Sequence, residues 1–268
     1  MRASSLHQRA MDWLHRRLHR LPMSPRLLVP RGRSQRLEAH RALYRWAARG
    51  AGGQRALDLG CGTGYGCDEL MLAGAEEVVG IDVDPRCVRY ARRRFSKAGA
   101  LFEVCDLTGK PDVLPPLQRL GAEGGVDLAV CIDVLQELEE PDKAVATAAR
   151  LLNQGGRFIA TFSPSRRLRD GEWWQCLISH FRQVEAWSLR ESTTSATNHH
   201  RPQGRFVIER YDSDRGEPLY LVFSCRDPRD PRSLAASEEI AGLPSWLATE
   251  NPVPPLFSRV GRSSGREH

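Results

Sequence analysis

Short apolar runs alternate with amphipathic stretches through most of the chain. The apolar runs are rich in Leu, Ile, Val and Ala, as buried strands of parallel sheets are. We predict strands at Ala56 to Leu59, Val78 to Ile81, Leu101 to Cys105, Leu128 to Ile132 and Arg157 to Phe162. Helical spacing predicts helices at Ser34 to Ala48, Tyr65 to Leu72, Pro85 to Phe95 and Asp142 to Leu152. This alternation predicts an α/β fold, a doubly wound and mostly parallel sheet with helices on both faces.

The pattern is looser after residue 163. A helix near Glu172 to His180 and a strand near Gln183 to Trp187 come first, and the polar stretch from Arg190 to Gly204 is typical of a mobile loop. Two further apolar runs, Phe206 to Glu209 and Leu219 to Ser224, predict a terminal hairpin on the edge of the sheet.

The chain is long enough for one large domain with an extension at each end. It has 268 residues, of which 41% are hydrophobic, and this content is adequate for a real core. We divide it into a basic N-terminal helical extension (1–33), a main domain (34–225) and a polar tail rich in Pro and Arg (226–268). No run of about 18 apolar residues occurs, so the sequence predicts no transmembrane segment.

The cysteines predict free thiols in a reducing compartment. Their number, seven, is odd, and none of them has Cys-x-x-Cys spacing. This distribution argues against a disulfide framework and against a zinc site. We therefore expect a cytoplasmic protein.

Positive charge is concentrated at the N-terminus. The chain has 39 Lys and Arg against 33 Asp and Glu, a modest net charge of +6, but within residues 1–33 only Asp12 opposes the arginines. Leu6, Trp13 and Leu14 lie at helical spacing there and predict a basic amphipathic helix. We interpret it as a packing helix or lid with a solvated basic face. Contact with nucleic acid, contact with a membrane surface and an organelle transit peptide are the alternatives.

A glycine-rich turn follows the first predicted strand, with the sequence Asp58-Leu59-Gly60-Cys61-Gly62-Thr63-Gly64. Glycine at alternate positions lets a buried strand turn sharply into a helix while the backbone approaches a ligand. A dinucleotide-binding turn reads Gly-x-Gly-x-x-Gly/Ala, whereas here Tyr65 occupies the third small position. The turn is therefore interpreted as a cofactor cradle for which NAD is disfavoured.

An acid lies at or next to the end of each of three consecutive predicted strands: Asp58, Asp82 and Asp106. The carboxyl ends of parallel strands meet at one edge of the sheet, so we expect these carboxylates to line one crevice. Asp82 occupies the place from which an acid accepts hydrogen bonds from ribose hydroxyls. Such a crevice would repel a diphosphate and favour a nucleoside that carries positive charge.

Together these motifs resemble those of the class I S-adenosylmethionine-dependent methyltransferases. The similarity covers roughly residues 36–190. It is carried by the glycine turn, by Gly80 to Pro85, by Asp106, by Asp127 to Leu138 and by Leu151 to Thr161. The resemblance implies a Rossmann-like sheet of seven strands whose last strand is antiparallel. It also implies S-adenosyl-L-methionine as the cofactor.

The same resemblance implies which residues bind that cofactor. The Gly60 to Gly64 backbone would pack against its methionine part, Asp82 would hold the ribose hydroxyls, Asp106 with Leu107 would bind adenine, and Cys131 to Asp133 would lie under the sulfonium. The implied cofactor-binding residues are Asp58, Gly60, Cys61, Gly62, Thr63, Gly64, Tyr65, Asp82, Val83, Asp106, Leu107, Cys131, Ile132 and Asp133.

The residues that act on the methyl acceptor are a further prediction. The segments around His40 and His180 are similar to those of methyltransferases from sugar, glycolipid and natural-product pathways. Related enzymes often carry Glu-His after the fourth strand, where this chain has Gln136-Glu137. A base is needed only for a poorly acidic acceptor such as a sugar hydroxyl, and the candidates are Glu137, His180 and Asp133.

These candidate bases also have structural interpretations. Glu137, Glu139, Glu140 and Asp142 precede a helix, and acids at a helix N-terminus are favoured by its dipole. Binding of a divalent metal by these acids is a weaker alternative, and the sequence predicts no metal site. His180 is also interpreted as a capping or packing histidine at the end of a helix.

The sequence favours methyl transfer to an oxygen of a small molecule. After the predicted fourth strand the chain reads Ile132-Asp133-Val134-Leu135, without the Asn/Asp-Pro-Pro-aromatic turn of enzymes that methylate amino groups of bases. Three alternatives stay open: an RNA or protein methyltransferase that uses residues 1–33 to bind nucleic acid or protein, a non-catalytic partner protein with the same fold, and a NAD dehydrogenase.

Overall fold

The computed structural model describes residues 34–107, 124–163, 172–192 and 206–229. The predicted N-terminal helix, most of the predicted polar loop and nearly all of the predicted C-terminal tail lie outside these ranges.

One mixed sheet of eight strands forms the centre of the molecule. The strands are β1 (Arg55–Leu59), β2 (Glu77–Asp82), β3 (Leu101–Val104), β4 (Val126–Ile132), β5 (Leu152–Phe162), β6 (Phe181–Glu191), β7 (Phe206–Arg210) and β8 (Tyr220–Pro228). Their order in space is β3-β2-β1-β4-β5-β8-β6-β7. Strands β1 to β5 are parallel, and β8 is antiparallel to both β5 and β6. The predicted fold class is confirmed, but the sheet has eight strands instead of the expected seven because β7 pairs with the outer edge of β6.

Five helices connect or follow the strands within the described ranges. They are α1 (Gln35–Ala47), α2 (Tyr65–Leu72), α3 (Pro85–Phe95), α4 (Pro141–Leu151) and α5 (Glu172–His180). The side chain of Ser34 accepts a hydrogen bond of 3.1 Å from the backbone N–H of Leu37 and so caps α1. Asp84 caps α3 in the same way through Arg86, and Pro85 takes the first helical position.

The predicted terminal hairpin is wrong. Strands β7 and β8 do not pair with each other, because β6 lies between them. Leu189 of β6 is in register with Ile208 on one side and with Tyr220 on the other. β6 extends well beyond the predicted 183–187 and hydrogen-bonds along both edges, while the buried run of β8 takes the interior position next to β5.

Alternation along the strands divides the core into two layers. Ala56 and Val78 point to the face covered by α1, α2 and α3, whereas Leu57 and Val79 point to the face covered by α4 and α5. Helices therefore cover both faces of the sheet, as predicted.

All seven cysteines are free thiols, and all except Cys176 are buried. Among the described helices, none combines the length and the apolar character needed to cross a bilayer.

Helices α1 and α2 pack closely because residue 66 is a glycine and has no Cβ atom. A Cβ atom at this position would lie 2.1 Å from Cζ of Tyr44, which is far below any van der Waals distance. Tyr44 is buried in the face of the core that α1 covers. The backbone of α2 therefore lies directly on the phenol ring of Tyr44.

We expect Gly66→Ala to lower the free energy of unfolding by about 1–3 kcal/mol, since overpacking a rigid ring costs more than the gain in helix propensity. Urea unfolding followed by circular dichroism measures this change. Gly52→Ala is the matched control, because a Cβ there meets nothing within 4 Å. An increase in stability for Gly66→Ala would contradict the packing described here.

Candidate functional site

A cavity of about 360 Å³ opens at the carboxyl ends of β1, β2 and β4. Most of the predicted site residues lie around it. Those that line it are Gly60, Cys61, Gly62, Thr63, Tyr65, Asp82, Val83, Ile132, Asp133 and Glu137. The structure thus brings the turn after β1, the end of β2 and the end of β4 to one place.

The glycine turn is held to the end of β2 by backbone hydrogen bonds. The N–H groups of Gly60 and Cys61 both donate to the carbonyl oxygen of Ile81, at 2.8 and 2.9 Å. Gly60 has a φ of 81°, and a Cβ there would lie 2.6 Å from Cγ2 of Val134. Only glycine therefore fits at this position, where the chain reverses direction beside β4.

Asp82 is fixed by two backbone donors. The N–H of Gly62 donates to Oδ2 at 2.8 Å, and the N–H of Asp84 donates to Oδ1 at 2.9 Å. Burial raises the pKa of Asp82, and these two hydrogen bonds oppose the increase by favouring the carboxylate. A carboxylate oxygen can accept two hydrogen bonds, so each oxygen of Asp82 can still accept one from a hydroxyl group in the cavity.

The expectation that Asp58 lines the crevice is wrong. Its side chain is fully buried and accepts hydrogen bonds from the Tyr44 hydroxyl at 3.1 Å and from the Cys67 thiol at 3.4 Å. Side chains alternate along β1, so Asp58 shares the α1 face with Ala56 instead of projecting from the strand end. Burial raises its pKa to about 7.

Four other implied cofactor residues lie outside the cavity lining. Gly64 is the last residue of the turn and precedes α2, and the buried Cys131 lies in β4. Asp106 is exposed and Leu107 is buried just after β3, next to residues 108–123, which the structure does not describe. The proposal that Asp106 and Leu107 bind adenine therefore rests on the sequence resemblance.

Asp133, directly after β4, holds several elements together. It has a φ of 58°, an uncommon conformation for a residue with a side chain, although Asp tolerates it better than most residues. Its N–H donates to Oγ1 of Thr161 at 3.0 Å, and its carboxylate accepts from Nη2 of Arg36 at 2.7 Å and from the amide of Gln136. Burial raises the pKa of Asp133, but hydrogen bonds from His40 and Arg36 outweigh it and the net shift is downward.

A buried histidine on α1, His40, completes this wall of the cavity. Its Nδ1 shares a hydrogen bond of 2.7 Å with the hydroxyl of Tyr65, and its Nε2 shares one of 2.8 Å with the hydroxyl of Tyr220. Nε2 also lies 3.5 Å from Oδ2 of Asp133. Burial lowers the pKa of His40, and the nearby Asp133 opposes this change.

The sequence did not identify Arg36, His40 or Tyr220 as site residues. Arg36 and His40 lie before the glycine turn, and Tyr220 is 180 residues from His40 along the chain. One feature of the sequence could have indicated a site here. His40 and Tyr44 lie one helical turn apart, and both place a polar group on the apolar face of a predicted helix.

Of the remaining candidate bases, Glu137 lines the cavity and His180 does not. His180 pairs with Asp142 through a 2.9 Å contact between Nε2 and Oδ1, and the Cys176 thiol lies 3.6 Å from the same oxygen. This contact joins the end of α5 to the first turn of α4. No group of three or more His, Cys, Asp or Glu side chains among the described residues is arranged to hold a metal ion.

Comparisons of sequence identify relatives of the central part of the chain. Residues 57–160 match a family model described as "Methyltransferase domain". A probable S-adenosylmethionine-dependent methyltransferase of Mycolicibacterium smegmatis is 31% identical over 137 residues, which are 47% of this chain and 47% of the relative. A ubiquinone biosynthesis O-methyltransferase of Aromatoleum aromaticum is 29% identical over 123 residues, 44% and 49% of the two chains. The chain spans about half the length of the curated relatives it matches.

Solved structures with a similar fold extend over more of the chain. A TehB-like SAM-dependent methyltransferase from Corynebacterium glutamicum has a TM-score of 0.51 and 20% identity, and the match covers 83% of this chain and 99% of that one. The [4+2]-cyclase SpnF has a TM-score of 0.52 and 20% identity, with 82% and 93% covered. At this level of identity the similarity establishes the fold alone.

The pKa of Asp58 predicts how stability depends on pH. The folded pKa of Asp58, about 7, lies above the unfolded value near 3.8. The contribution of protonated Asp58 to the free energy of unfolding is therefore complete below about pH 4 and is lost as the pH rises through 7. Between pH 5 and pH 8 we expect the wild type to lose about 1–3 kcal/mol relative to Asp58→Asn, measured by urea unfolding.

Glu103→Gln is the matched control, since Glu103 is the exposed partner of Arg92. We expect its stability to follow that of the wild type across this pH range. Parallel pH profiles for the wild type and Asp58→Asn would show that Asp58 is already ionised in the folded chain at pH 5.

Proposed function

From the match of residues 57–160 to a methyltransferase-domain model, we propose that the chain transfers a methyl group from S-adenosyl-L-methionine to an oxygen of a small molecule. When bound, this cofactor supplies an electrophilic methyl group on a sulfonium. The chain would then bind the nucleoside, exclude water and place the acceptor in line.

The observation that carries the proposal is the setting of Asp82 in the cavity. Gly62 and Asp84 hold its carboxylate from the protein side, and its remaining lone pairs are suited to the adjacent hydroxyls of a ribose. Gly60, Gly62 and Thr63 line the cavity, so a methionine chain can approach the backbone of the turn. These residues fit the cofactor that the family uses.

The nature of the cavity wall supports an oxygen acceptor. Beyond the turn the wall presents the polar side chains of Arg36, His40, Tyr65, Asp133 and Glu137. A curated relative is named as an O-methyltransferase of ubiquinone biosynthesis, and we extend only the oxygen chemistry of that name to this chain.

Roles for the candidate bases follow from their surroundings. The pKa of Asp133 is lowered by its hydrogen bonds, so we assign it to orienting neighbours instead of accepting a proton. Glu137 stays a candidate base because it lines the cavity. His180 is assigned to joining α5 to α4 through Asp142. Positioning alone can contribute up to roughly 7–11 kcal/mol in favourable cases.

A cytoplasmic location belongs to the same proposal and is supported by the seven free thiols. Methylation of RNA or protein through residues 1–33 is the second candidate, carried only by the arginine content of that segment. It would be favoured by RNA binding with a steep salt dependence that is lost on deleting residues 1–33.

We expect the wild-type chain to bind S-adenosylhomocysteine and Asp82→Asn to bind it at least about 10-fold more weakly. The carboxylate of Asp82 would accept hydrogen bonds from two ribose hydroxyls, whereas the amide of Asn has a single, neutral acceptor oxygen. Isothermal titration calorimetry measures both affinities. Glu77→Gln is the matched control at the opposite end of β2, where Glu77 pairs with Arg55 at 2.9 Å, and its affinity should match that of the wild type.

Absence of binding by the wild type would contradict the cofactor assignment. Equal affinities for the wild type and Asp82→Asn would contradict the role of Asp82. The chain could also bind the cofactor but form no S-adenosylhomocysteine from S-adenosylmethionine with any of a panel of sugars, phenols, RNA and peptides. That result would favour a non-catalytic protein, or chemistry of another kind on this fold.

A further inference from the structure

Four polar side chains from four parts of the chain converge on the inner wall of the cavity. They are His40 of α1, Tyr65 at the start of α2, Asp133 after β4 and Tyr220 of β8. Tyr65 follows the glycine turn directly, and Tyr65, His40 and Asp133 all line the cavity. The cluster therefore lies beside the place where the proposed methyl transfer would occur.

The position of Asp133 determines which nitrogen of His40 carries the proton. Nε2 lies 3.5 Å from Oδ2 of this buried carboxylate and 2.8 Å from the Tyr220 oxygen, so electrostatics favours hydrogen on Nε2. The Tyr220 hydroxyl in turn lies 3.5 Å from Oδ2 of Asp133. Nδ1 is then the lone-pair nitrogen, and at 2.7 Å it accepts the hydroxyl hydrogen of Tyr65.

The charges around His40 favour a neutral ring at rest and tolerate a protonated one. Burial lowers the pKa of His40, and Arg36 acts in the same direction, so the neutral form is favoured before reaction. Burial also raises the pKa of Tyr65, which keeps its phenol protonated. After uptake of a proton, the imidazolium would lie beside the carboxylate of Asp133, whose negative charge stabilises it.

We propose that Tyr65 and His40 form a proton relay that deprotonates the acceptor, and that the acceptor is therefore an un-ionised hydroxyl group. The hydroxyl proton passes to Oη of Tyr65 while Tyr65 passes its own proton to Nδ1 of His40. The acceptor oxygen forms its bond to the methyl carbon as the carbon–sulfur bond breaks, and the electron pair of that bond stays on sulfur. Tyr65 is the residue that touches the acceptor, and Tyr220 and Asp133 are positioning residues.

This inference rests on the proposed function and is narrower than it. An acceptor that is already ionised, such as a carboxylate, would need no relay, and neither would an amine that binds in its neutral form. The relay thus selects hydroxyl acceptors among the small molecules that the cavity can hold.

The state of His40 is measured first, on the full chain saturated with S-adenosylhomocysteine. In nitrogen-15 spectra of histidine-labelled protein, with the His40 signals identified by their loss in His40→Asn, we expect the neutral form protonated on Nε2 at pH 7. A ring protonated on Nδ1, or an imidazolium at pH 7, would overturn the relay. This readout requires no turnover, so it is decisive whichever acceptor the protein uses.

The second measurement is S-adenosylhomocysteine release with 3,4-dihydroxybenzoate and methyl glucoside as hydroxyl probes. For the probe that is methylated faster, we expect Tyr65→Phe and His40→Asn to lower kcat about 10²-fold or more at pH 7. With 3,4-dihydroxybenzoate the deficit should shrink as the pH rises and its phenol ionises by itself. Affinity of His40→Asn for S-adenosylhomocysteine should stay within about 3-fold, because His40 is not among the implied cofactor-binding residues.

Tyr211→Phe is the matched control, since Tyr211 is a half-buried tyrosine outside the cavity lining. An unchanged kcat in Tyr65→Phe, or an equal loss at every pH with 3,4-dihydroxybenzoate, would overturn the relay while leaving cofactor binding intact. Loss of cofactor binding by the wild type would instead be a failure of the proposed function.

Discussion

The carbonyl oxygen of Ile81 is the point on which the cavity depends. It accepts the N–H groups of both Gly60 and Cys61, so the pairing of β1 with β2 continues past the end of β1 and into the turn. The next N–H, that of Gly62, then reaches the carboxylate of Asp82. A parallel sheet thereby extends its own backbone ladder into the turn, and the carboxylate of Asp82 completes it.

The second constraint is a buried carboxylate. The side chain of Asp133 is only 4% exposed, and the guanidinium of Arg36 and surrounding hydrogen bonds offset the desolvation of its charge. Those partners come from α1, from the turn after β4 and from β5. Helix α1 is therefore part of the cavity wall and not merely a cover for the sheet.

Strands, helices and their parallel arrangement could be predicted because periodicity and capping residues are local signals. The resemblance to class I methyltransferases is confirmed for residues 57–160, since the glycine turn and Asp82 are close together in sequence. The hairpin of β7 and β8 was wrong because strand order depends on which edges are free, and a sequence does not display the two edges of β6. Asp58 was misplaced because its motif position suggested the strand end, whereas alternation directs its side chain beneath Tyr44. His40 and Tyr220 were missed because only the folded sheet brings them together.

The two sides of the cavity, the glycine turn with Asp82 and the wall with His40, are completed at different times during synthesis of the chain from its N-terminus. The glycine turn and Asp82 belong to the first two strands and the turn between β1 and α2, which leave the ribosome early. The wall that contains His40 includes a contact between His40 and Tyr220, which are 180 residues apart. This contact forms only when β8 enters between β5 and β6. A nascent or truncated chain that ends before β8 would thus have the glycine turn and Asp82 in place but would lack the contact between Tyr220 and His40. Insertion of the last described strand is therefore the event that completes the hydrogen-bonded wall around His40.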